Sequence, residues 1–177
     1  KRQNASSKLQ VSKSGVTFIQ ISCMAYVLFD TAARKKHFPL TYTRAVADIR
    51  IGILTLKEWW EKLLDEEVFI KTEEYLQATY PPIPPGDHVF IDAAVFPSSI
   101  LLNKINALRA DESLTDETNT LVAYKTTKGG KKTLVSGKRK LEYPWQIFQW
   151  NDEILREQFE LFRQQKLGIQ TPESTHV

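Results

Sequence analysis

The feature that most constrains this chain is a short apolar run, Tyr26 to Phe29, that ends at Asp30 and is followed by a long polar loop. Several basic residues lie in this loop, and a helical pattern begins near Thr55. A buried strand, a loop and a helix in succession form the unit from which parallel α/β sheets are built. Ligands of such sheets bind beyond the carboxyl ends of the strands, so the segment predicts a site for a phosphate-bearing ligand there.

The rest of the chain continues this alternation of strands and helices. Short apolar runs predict strands at Val68–Ile70, Val89–Ile91, Leu121–Lys125 and Thr133–Val135. Amphipathic spacing and capping residues predict helices at Thr55–Leu64, Thr72–Tyr80, Pro97–Leu108 and Asn151–Lys166. The alternation predicts an α/β fold with a mostly parallel sheet and helices on both of its faces.

A chain of 177 residues suits one domain, which we place at residues 15–167. Residues 1–14 form a polar tail, and residues 168–177 lack periodicity, as a linker would. The basic start and the apolar run after it loosely resemble a secretory leader, but Gln20 and Ser22 interrupt that run. The partial alternation of Val16–Ser22 favours an edge strand instead.

Composition narrows the class of protein. The formal net charge of +3 is too small to imply a nucleic-acid partner, and no apolar stretch is long enough to cross a bilayer. Cys23 is the only cysteine, which rules out an internal disulfide and fits a reducing compartment. No histidine pair has the spacing of a metal site. We therefore expect a cytoplasmic protein with neither a membrane nor a nucleic acid as its partner.

The loop and the helix after the first strand also carry a pattern typical of a known family. Pro39-Leu-Thr-Tyr-Thr-Arg44 leads into Val46-Ala-Asp-Ile-Arg-Ile-Gly-Ile-Leu-Thr55, and three later pieces fit the same pattern: Ile91–Pro97, Leu121–Tyr124 and Tyr143–Phe148. Over residues 26–177 the chain resembles sugar nucleotidyltransferases, in particular the branch that looks like the N-terminal domain of N-acetylglucosamine-1-phosphate uridyltransferase. The resemblance implies a Rossmann-like nucleotide-diphospho-sugar transferase fold, truncated before a hexapeptide-repeat β-helix through which copies of the chain would associate.

A reaction and its residues are implied by the same resemblance. Members of the family transfer a nucleotidyl group from a nucleoside triphosphate to a sugar 1-phosphate and release pyrophosphate, with the aid of Mg2+. On this pattern, Arg34 grips the leaving phosphates, Arg44 reaches a ligand phosphate, and Asp92 is the metal ligand. The planar guanidinium of arginine suits a phosphate group.

Structural roles compete with these three assignments. Arg34 could be a solvated loop arginine, and Arg44 could form an ion pair with Asp48. Asp92 could cap a turn at the end of its strand. The sequence leaves both sets of roles open.

Three further residues are candidates for contact with the base or the ribose of a nucleotide. Asp30 ends the first strand, where ligand contacts collect, although an Asx turn that closes the loop would also explain it. Phe29 and Tyr42 could stack on a base, with core packing as the alternative for Phe29.

The chain departs from the family pattern at three places. The segment Asp30–Arg34 contains no glycine where a Gly-rich loop would hold the phosphates, and Ala45-Val46 stand in place of a Pro-Lys pair. The usual metal-binding aspartate would fall near Ala94, two residues after Asp92. These departures support an alternative, which is a catalytically degenerate domain of the same fold that binds a nucleotide-sugar or serves as a scaffold.

A strongly basic segment lies in the second half of the chain. Residues 125–140 contain seven basic residues and no acidic residue. A solvated hairpin with its turn at Lys128–Lys131, a surface for a polyanion, and a phosphate contact that leans over the site are all compatible with this pattern. The segment has no interleaved aromatic residues, so base stacking is not indicated.

Overall fold

The computed structural model describes residues 24–110, 112–125 and 131–166. Four predicted features lie wholly or largely outside these residues: the tail at 1–14, the edge strand at 16–22, the turn at 128–131 and the linker at 168–177.

Eight strands and four α-helices make up the described part of the chain. The strands are β1 (Ala25–Phe29), β2 (Arg50–Ile51), β3 (Leu54–Thr55), β4 (Val68–Lys71), β5 (His88–Asp92), β6 (Glu112–Thr115), β7 (Leu121–Lys125) and β8 (Lys131–Leu134). The α-helices are α1 (Leu56–Leu64), α2 (Glu74–Gln77), α3 (Ser99–Asn106) and α4 (Gln146–Lys166). Two 3-10 helices, Ala32–His37 and Val46–Asp48, lie in the loop after β1.

Six of these strands form one sheet in the order β4-β1-β5-β7-β6-β8. Strand β1 is parallel to both of its neighbours, and β6 is parallel to β8. Strand β7 is antiparallel to β5 and to β6, so it alone opposes the common direction of this sheet within the described residues. The prediction of an α/β fold with a mostly parallel sheet is confirmed.

One face of the sheet is buried beneath helices. Tyr26 and Leu28 of β1 project from this face and join the main hydrophobic core. Helices α1 and α4 contribute Trp60 and Ile154, which are fully buried in the same core. The Trp60 indole donates a hydrogen bond of 3.0 Å to the carbonyl of Val95, which ties α1 to the chain just beyond β5. This packing fixes the carboxyl ends of β1 and β5 side by side.

Helix α1 begins as its sequence predicts. The Thr55 hydroxyl accepts a hydrogen bond from the amide of Glu58, and the Glu58 carboxylate accepts one from the amide of Thr55. This capping box satisfies two amides that have no partner within the helix. The predicted N-cap and helix are both confirmed.

Two predicted helix starts are wrong. Helix α2 is a single short turn, and Thr72 does not cap it but donates a hydrogen bond to Asp30. Helix α4 begins at Gln146 rather than after Asn151, and the Asn151 side chain, which lies within the helix, accepts a hydrogen bond from the amide of Gly52. In both cases a side chain that looks like a local cap instead bonds a residue distant in sequence, the Asp30 carboxylate for Thr72 and the Gly52 amide for Asn151.

The hairpin of β2 and β3, which was not predicted, is held by a buried glutamine of α4. The Gln158 side chain accepts hydrogen bonds from the amides of Ile53 and Leu54 and donates one to the carbonyl of Ile51. Gly52 in the turn has φ of +71°, and a Cβ there would lie 2.6 Å from the Gln158 amide oxygen. Only glycine fits this close approach without strain.

Strand β6 was also not predicted. None of the described helices has the length and apolar character that crossing a bilayer requires.

Candidate functional site

Two aspartates lie next to each other where β1 and β5 end. Phe29 pairs in register with Asp92, so Asp30 follows β1 directly beside the end of β5. The loop after β1 supplies Arg34 and His37 to the same place. The segment after β8 supplies Lys140. The structure therefore brings the candidate residues Asp30, Arg34 and Asp92 together where β1 and β5 end, and it adds Lys140 from the basic segment.

Asp30 forms hydrogen bonds with residues that are distant in sequence rather than with an immediate neighbour. One carboxylate oxygen accepts a hydrogen bond of 3.0 Å from the amide of Val46, and the other accepts one of 2.6 Å from the Thr72 hydroxyl. Burial raises the pKa of Asp30, while the hydrogen bonds from Thr72 and Val46 and the charge of Arg34 act in the opposite direction. The Asx-turn alternative is wrong, because the two partners lie 16 and 42 residues away. The predicted ligand contact stays a prediction.

Arg34 is buried, with only 4% of its side chain exposed. Its Nε lies 3.2 Å from the Asp30 carboxylate, and its terminal nitrogen donates to the carbonyl of Thr41 and to the Tyr75 hydroxyl. The guanidinium also lies over the ring of Phe38, 5.7 Å from its centroid. The alternative of a solvated arginine is therefore wrong. The predicted grip on phosphates stays a prediction, and these contacts show a guanidinium that organises the loop.

Asp92 also has both carboxylate oxygens engaged. One accepts a hydrogen bond of 3.0 Å from the amide of Ala94, which confirms the turn cap that the sequence left open. The other lies 2.5 Å from Nζ of Lys140. The side chains of Asp92 and Lys140 are only 1% and 10% exposed. The two form a buried ion pair.

This arrangement does not fit a Mg2+ ion. Mg2+ takes a near-octahedral shell of oxygens at about 2.0–2.1 Å and usually keeps several of its waters. The Asp92 carboxylate is buried and one of its oxygens already holds the Lys140 ammonium, so a Mg2+ ion with its waters would have to displace that cation. Among the described residues, no group of three or more His, Cys, Asp or Glu side chains is placed to hold a metal.

His37 is a further buried group at this centre. Its Nε2 lies 3.0 Å from the carbonyl oxygen of Leu141, to which the neutral ring donates a hydrogen bond. Burial lowers the pKa of His37, and the hydrogen bond to Leu141 acts in the opposite direction. No spacing in the sequence signals this role. The contact joins the loop after β1 to the residue that follows Lys140.

An open cleft of about 580 Å³ lies beside this buried centre. It is bounded by the carboxyl ends of β1 and β4 and by the start of β7. Its lining residues are Phe29, Asp30, Thr31, Ala32, Lys71, Thr72, Glu73, Thr120, Leu121 and Tyr124. The rings of Phe29 and Tyr124 meet edge to face with centroids 5.7 Å apart, so one wall of the cleft is aromatic.

The cleft also has charged groups at its rim. Lys71 and Glu73 are exposed, and neither forms an ion pair with the described residues. Nζ of Lys71 lies 5.4 Å from the centroid of the Phe90 ring, which itself stacks on Tyr124. An aromatic wall with an ammonium that has no ion pair among the described residues suits a flat ring joined to an anion. Of the three candidates for contact with a base or a ribose, Phe29 and Asp30 line this cleft.

Tyr42, the third candidate for a base contact, and Arg44, the candidate for a phosphate contact, lie outside the cleft lining. Tyr42 is 56% exposed and stacks on Phe38 at 4.2 Å. Arg44 is exposed, and the ion pair with Asp48 that competed with its ligand role is absent from the described contacts. Asp48 instead accepts a hydrogen bond of 2.5 Å from Tyr80, and burial together with this bond raises the pKa of Tyr80 to about 12.

The basic segment is largely neutralised where the structure describes it. Lys131 pairs with Glu112, Lys138 with Asp116, Arg139 with Glu153 and Glu157, and Lys140 with Asp92. Burial acts to raise the pKa of Asp116, but the hydrogen bond from Thr118 and the contact with Lys138 outweigh it and hold that pKa well below its usual value. Strand β8 is exposed, as a solvated segment would be, but it pairs in parallel with β6 rather than with β7, so the predicted hairpin is wrong. The ion pairs weaken the hypothesis of a surface for a polyanion. Of the three roles predicted for residues 125–140, only a segment that leans over the site agrees with the position of Lys140.

The fold and the cleft define an α/β protein with an open cleft at the carboxyl ends of its strands, where ligands of such sheets bind. The sequence model of a family described as sugar nucleotidyl transferase matches residues 26–166. This match covers most of the chain, which therefore belongs to the sugar nucleotidyl transferase family. A comparison with curated proteins gives no match. The finer resemblance to N-acetylglucosamine-1-phosphate uridyltransferase stays a prediction.

Proposed function

We propose that this chain is the nucleotidyltransferase domain of an enzyme that joins a nucleoside triphosphate to a sugar 1-phosphate. A phosphate oxygen of the sugar phosphate attacks the α-phosphorus of the triphosphate, and pyrophosphate leaves. The observation that carries the proposal is the open cleft at the carboxyl ends of β1 and β4 in a chain of this family. Its volume of about 580 Å³ lies within the range of small-ligand sites.

The cleft offers separate surfaces for the parts of a nucleotide. A base would stack against Phe29 and Tyr124, and the Lys71 ammonium would face a phosphate or a sugar hydroxyl. The exposed carboxylate of Glu73 would accept hydrogen bonds from ribose hydroxyls. Arg44 has a free guanidinium that could meet the far phosphates if the loop after β1 closes on the ligand.

Turnover can be tested with a panel of nucleoside triphosphates and hexose or N-acetylhexosamine 1-phosphates, with pyrophosphate release as the readout. One pair should support release, and Lys71→Met should weaken nucleotide binding. Lys62→Met, which changes an exposed lysine outside the cleft, should not weaken it. Absence of turnover across the panel, with folding verified by circular dichroism, would contradict the enzymatic proposal.

A second candidate is a degenerate domain that binds a nucleotide-sugar without turning it over, or that serves as a scaffold. Two observations favour it: both oxygens of Asp92 are engaged, and no glycine lies between Asp30 and Arg34. Calorimetry separates the possibilities. Binding to the cleft without turnover supports a nucleotide-sugar receptor, and neither binding nor turnover supports a scaffold.

A further inference from the structure

We infer that Lys140 supplies the cation at the centre of the site, so that its ammonium group takes the place that a divalent metal ion would occupy beside Asp92. The inference rests on the proposed function and deepens it, since it states which cation lies beside Asp92, whereas the Lys71 ammonium remains the cation that faces a ligand in the cleft. It stands on the position of Lys140 and on its contacts, and these are independent of the nature of the sugar or the base.

The first support is the way in which the backbone holds Lys140. The amide of Phe96 donates to the carbonyl of Arg139 at 3.0 Å, and the amide of Leu141 donates to the carbonyl of Ala94 at 2.8 Å. These two hydrogen bonds flank the bridge between Val95 and Lys140. Lys140 is thereby locked against the turn that follows β5, directly over Asp92.

Contacts from other elements hold the same short segment from both sides. The ring of His37 binds the carbonyl of Leu141, and the Arg139 guanidinium pairs with Glu153 and Glu157 of α4. A lysine on a free surface loop would have none of this support. The position of the ammonium is therefore built by the loop after β1, by the segment after β5 and by α4.

The second support is burial. A lysine side chain that is 10% exposed against a carboxylate that is 1% exposed loses most of its hydration, and only a close partner of opposite charge offsets that loss. The pair leaves no unbalanced charge at this point. A divalent ion would have to displace the ammonium or lie beside it, and two cations on one buried carboxylate repel each other strongly.

The inference is tested with Mn2+ alone, without nucleotide, by electron paramagnetic resonance titration. The wild-type chain should show no saturable Mn2+ site that depends on Asp92. Lys140→Gln removes the ammonium and keeps a polar side chain, and it should raise Mn2+ affinity by about tenfold or more because the competing charge is gone. The double variant Lys140→Gln/Asp92→Asn should lose this gain, and Lys140→Arg should not acquire it.

Two results would overturn the inference. One is a saturable Mn2+ site in the wild-type chain that Asp92→Asn abolishes, since Lys140 would then yield to a metal. The other is a folded Lys140→Gln variant with no gain in Mn2+ affinity. If Lys140→Gln does not fold, the comparison of the wild-type chain with Asp92→Asn decides by itself. Neither readout involves nucleotidyl transfer, so failure of the proposed function would leave this result unaffected.

Discussion

Two neighbouring regions use charged side chains in opposite ways: the buried centre where β1 and β5 end, and the cleft beside it. At the centre, Asp30 pairs with Arg34 and Asp92 pairs with Lys140, and none of the four side chains is more than 10% exposed. In the cleft, by contrast, Lys71 is exposed and forms no ion pair with the described residues. The charged side chains of the centre are paired with each other and hold the loops in place. The Lys71 ammonium of the cleft is exposed and can meet a ligand.

This difference shows that a carboxylate at the end of a strand need not be a ligand-binding group. Buried ion pairs contribute little net stability compared with apolar packing, but removing one partner leaves a buried charge without compensation. Such pairs therefore determine where loops lie. Here they hold the loop after β1 and the segment after β8 against the ends of β1 and β5. The cleft beside them stays open.

The largest effect should come from removing the carboxylate that joins the loop to the sheet. Asp30→Ala leaves Arg34 buried and unpaired and removes the partners of Val46 and Thr72. We expect a loss of about 3–5 kcal/mol in the free energy of unfolding, measured by urea denaturation. Asp152→Ala is the matched control, because its ion pair with Arg156 is exposed and should contribute at most about 1 kcal/mol. Equal losses in the two variants would remove the distinction between buried and exposed pairs.

A smaller effect is expected from the residue that belongs to both regions. Thr72 lines the cleft and donates its hydroxyl to Asp30. Thr72→Val keeps the shape and removes a hydrogen bond to a charged group, which should cost about 1.5–3 kcal/mol of stability. Thr43→Val makes the same chemical change at an exposed position and should be close to neutral in the same denaturation assay. A neutral Thr72→Val variant would mean that the centre does not depend on this link to the cleft.

His37 makes the stability of the centre sensitive to pH. Burial holds the pKa of His37 below the ordinary value of 6.5, so the folded state keeps the ring neutral where the unfolded state takes up a proton. Stability should fall as the pH is lowered through 6.5, with a slope of at most about 1.4 kcal/mol per pH unit from this group. The loss stops once the pH lies below the folded pKa, because both states are then protonated.

The pH dependence can be assigned by substitution. His37→Gln keeps a donor for the carbonyl of Leu141 and should remove this part of the pH dependence between pH values of about 7.5 and 5. His88→Gln controls for the loss of a histidine as such. If the two variants keep the same slope as the wild-type chain, the ring of His37 is not the group responsible.

The sequence predicted the fold well because the apolar runs report burial directly. Tyr26–Phe29 and Val89–Ile91 lie within strands β1 and β5, and the capping box of Thr55 and Glu58 is confirmed. These features depend on neighbours in sequence. Strand β6 was not predicted, because its segment Glu112–Thr115 has no apolar run despite the burial of three of its four residues.

The site was harder to predict because its contacts are distant in sequence. Arg34 and Asp92 were expected to face a ligand, but the partner of Asp92, Lys140, lies 48 residues away. Lys140 stands in a segment whose composition resembles a solvated hairpin. Charge patterns show which residues can pair, and the return of the chain after β8 decides which of them do. The same limit applies to His37, whose partner is 104 residues distant.

The smallest effect on stability is expected for Arg44→Ala, and this variant is the most direct test of ligand binding. Arg44 is exposed and has no ion pair with the described residues, so Arg44→Ala should change the free energy of unfolding by no more than about 0.5 kcal/mol. Arg34→Ala removes a buried guanidinium from Asp30 and should cost about 3–5 kcal/mol. If Arg44 meets a ligand phosphate, its variant should weaken nucleoside triphosphate binding in calorimetry while the fold stays intact. An Arg44→Ala variant that binds as the wild-type chain does would leave the cleft lysine, Lys71, as the cation that the ligand meets.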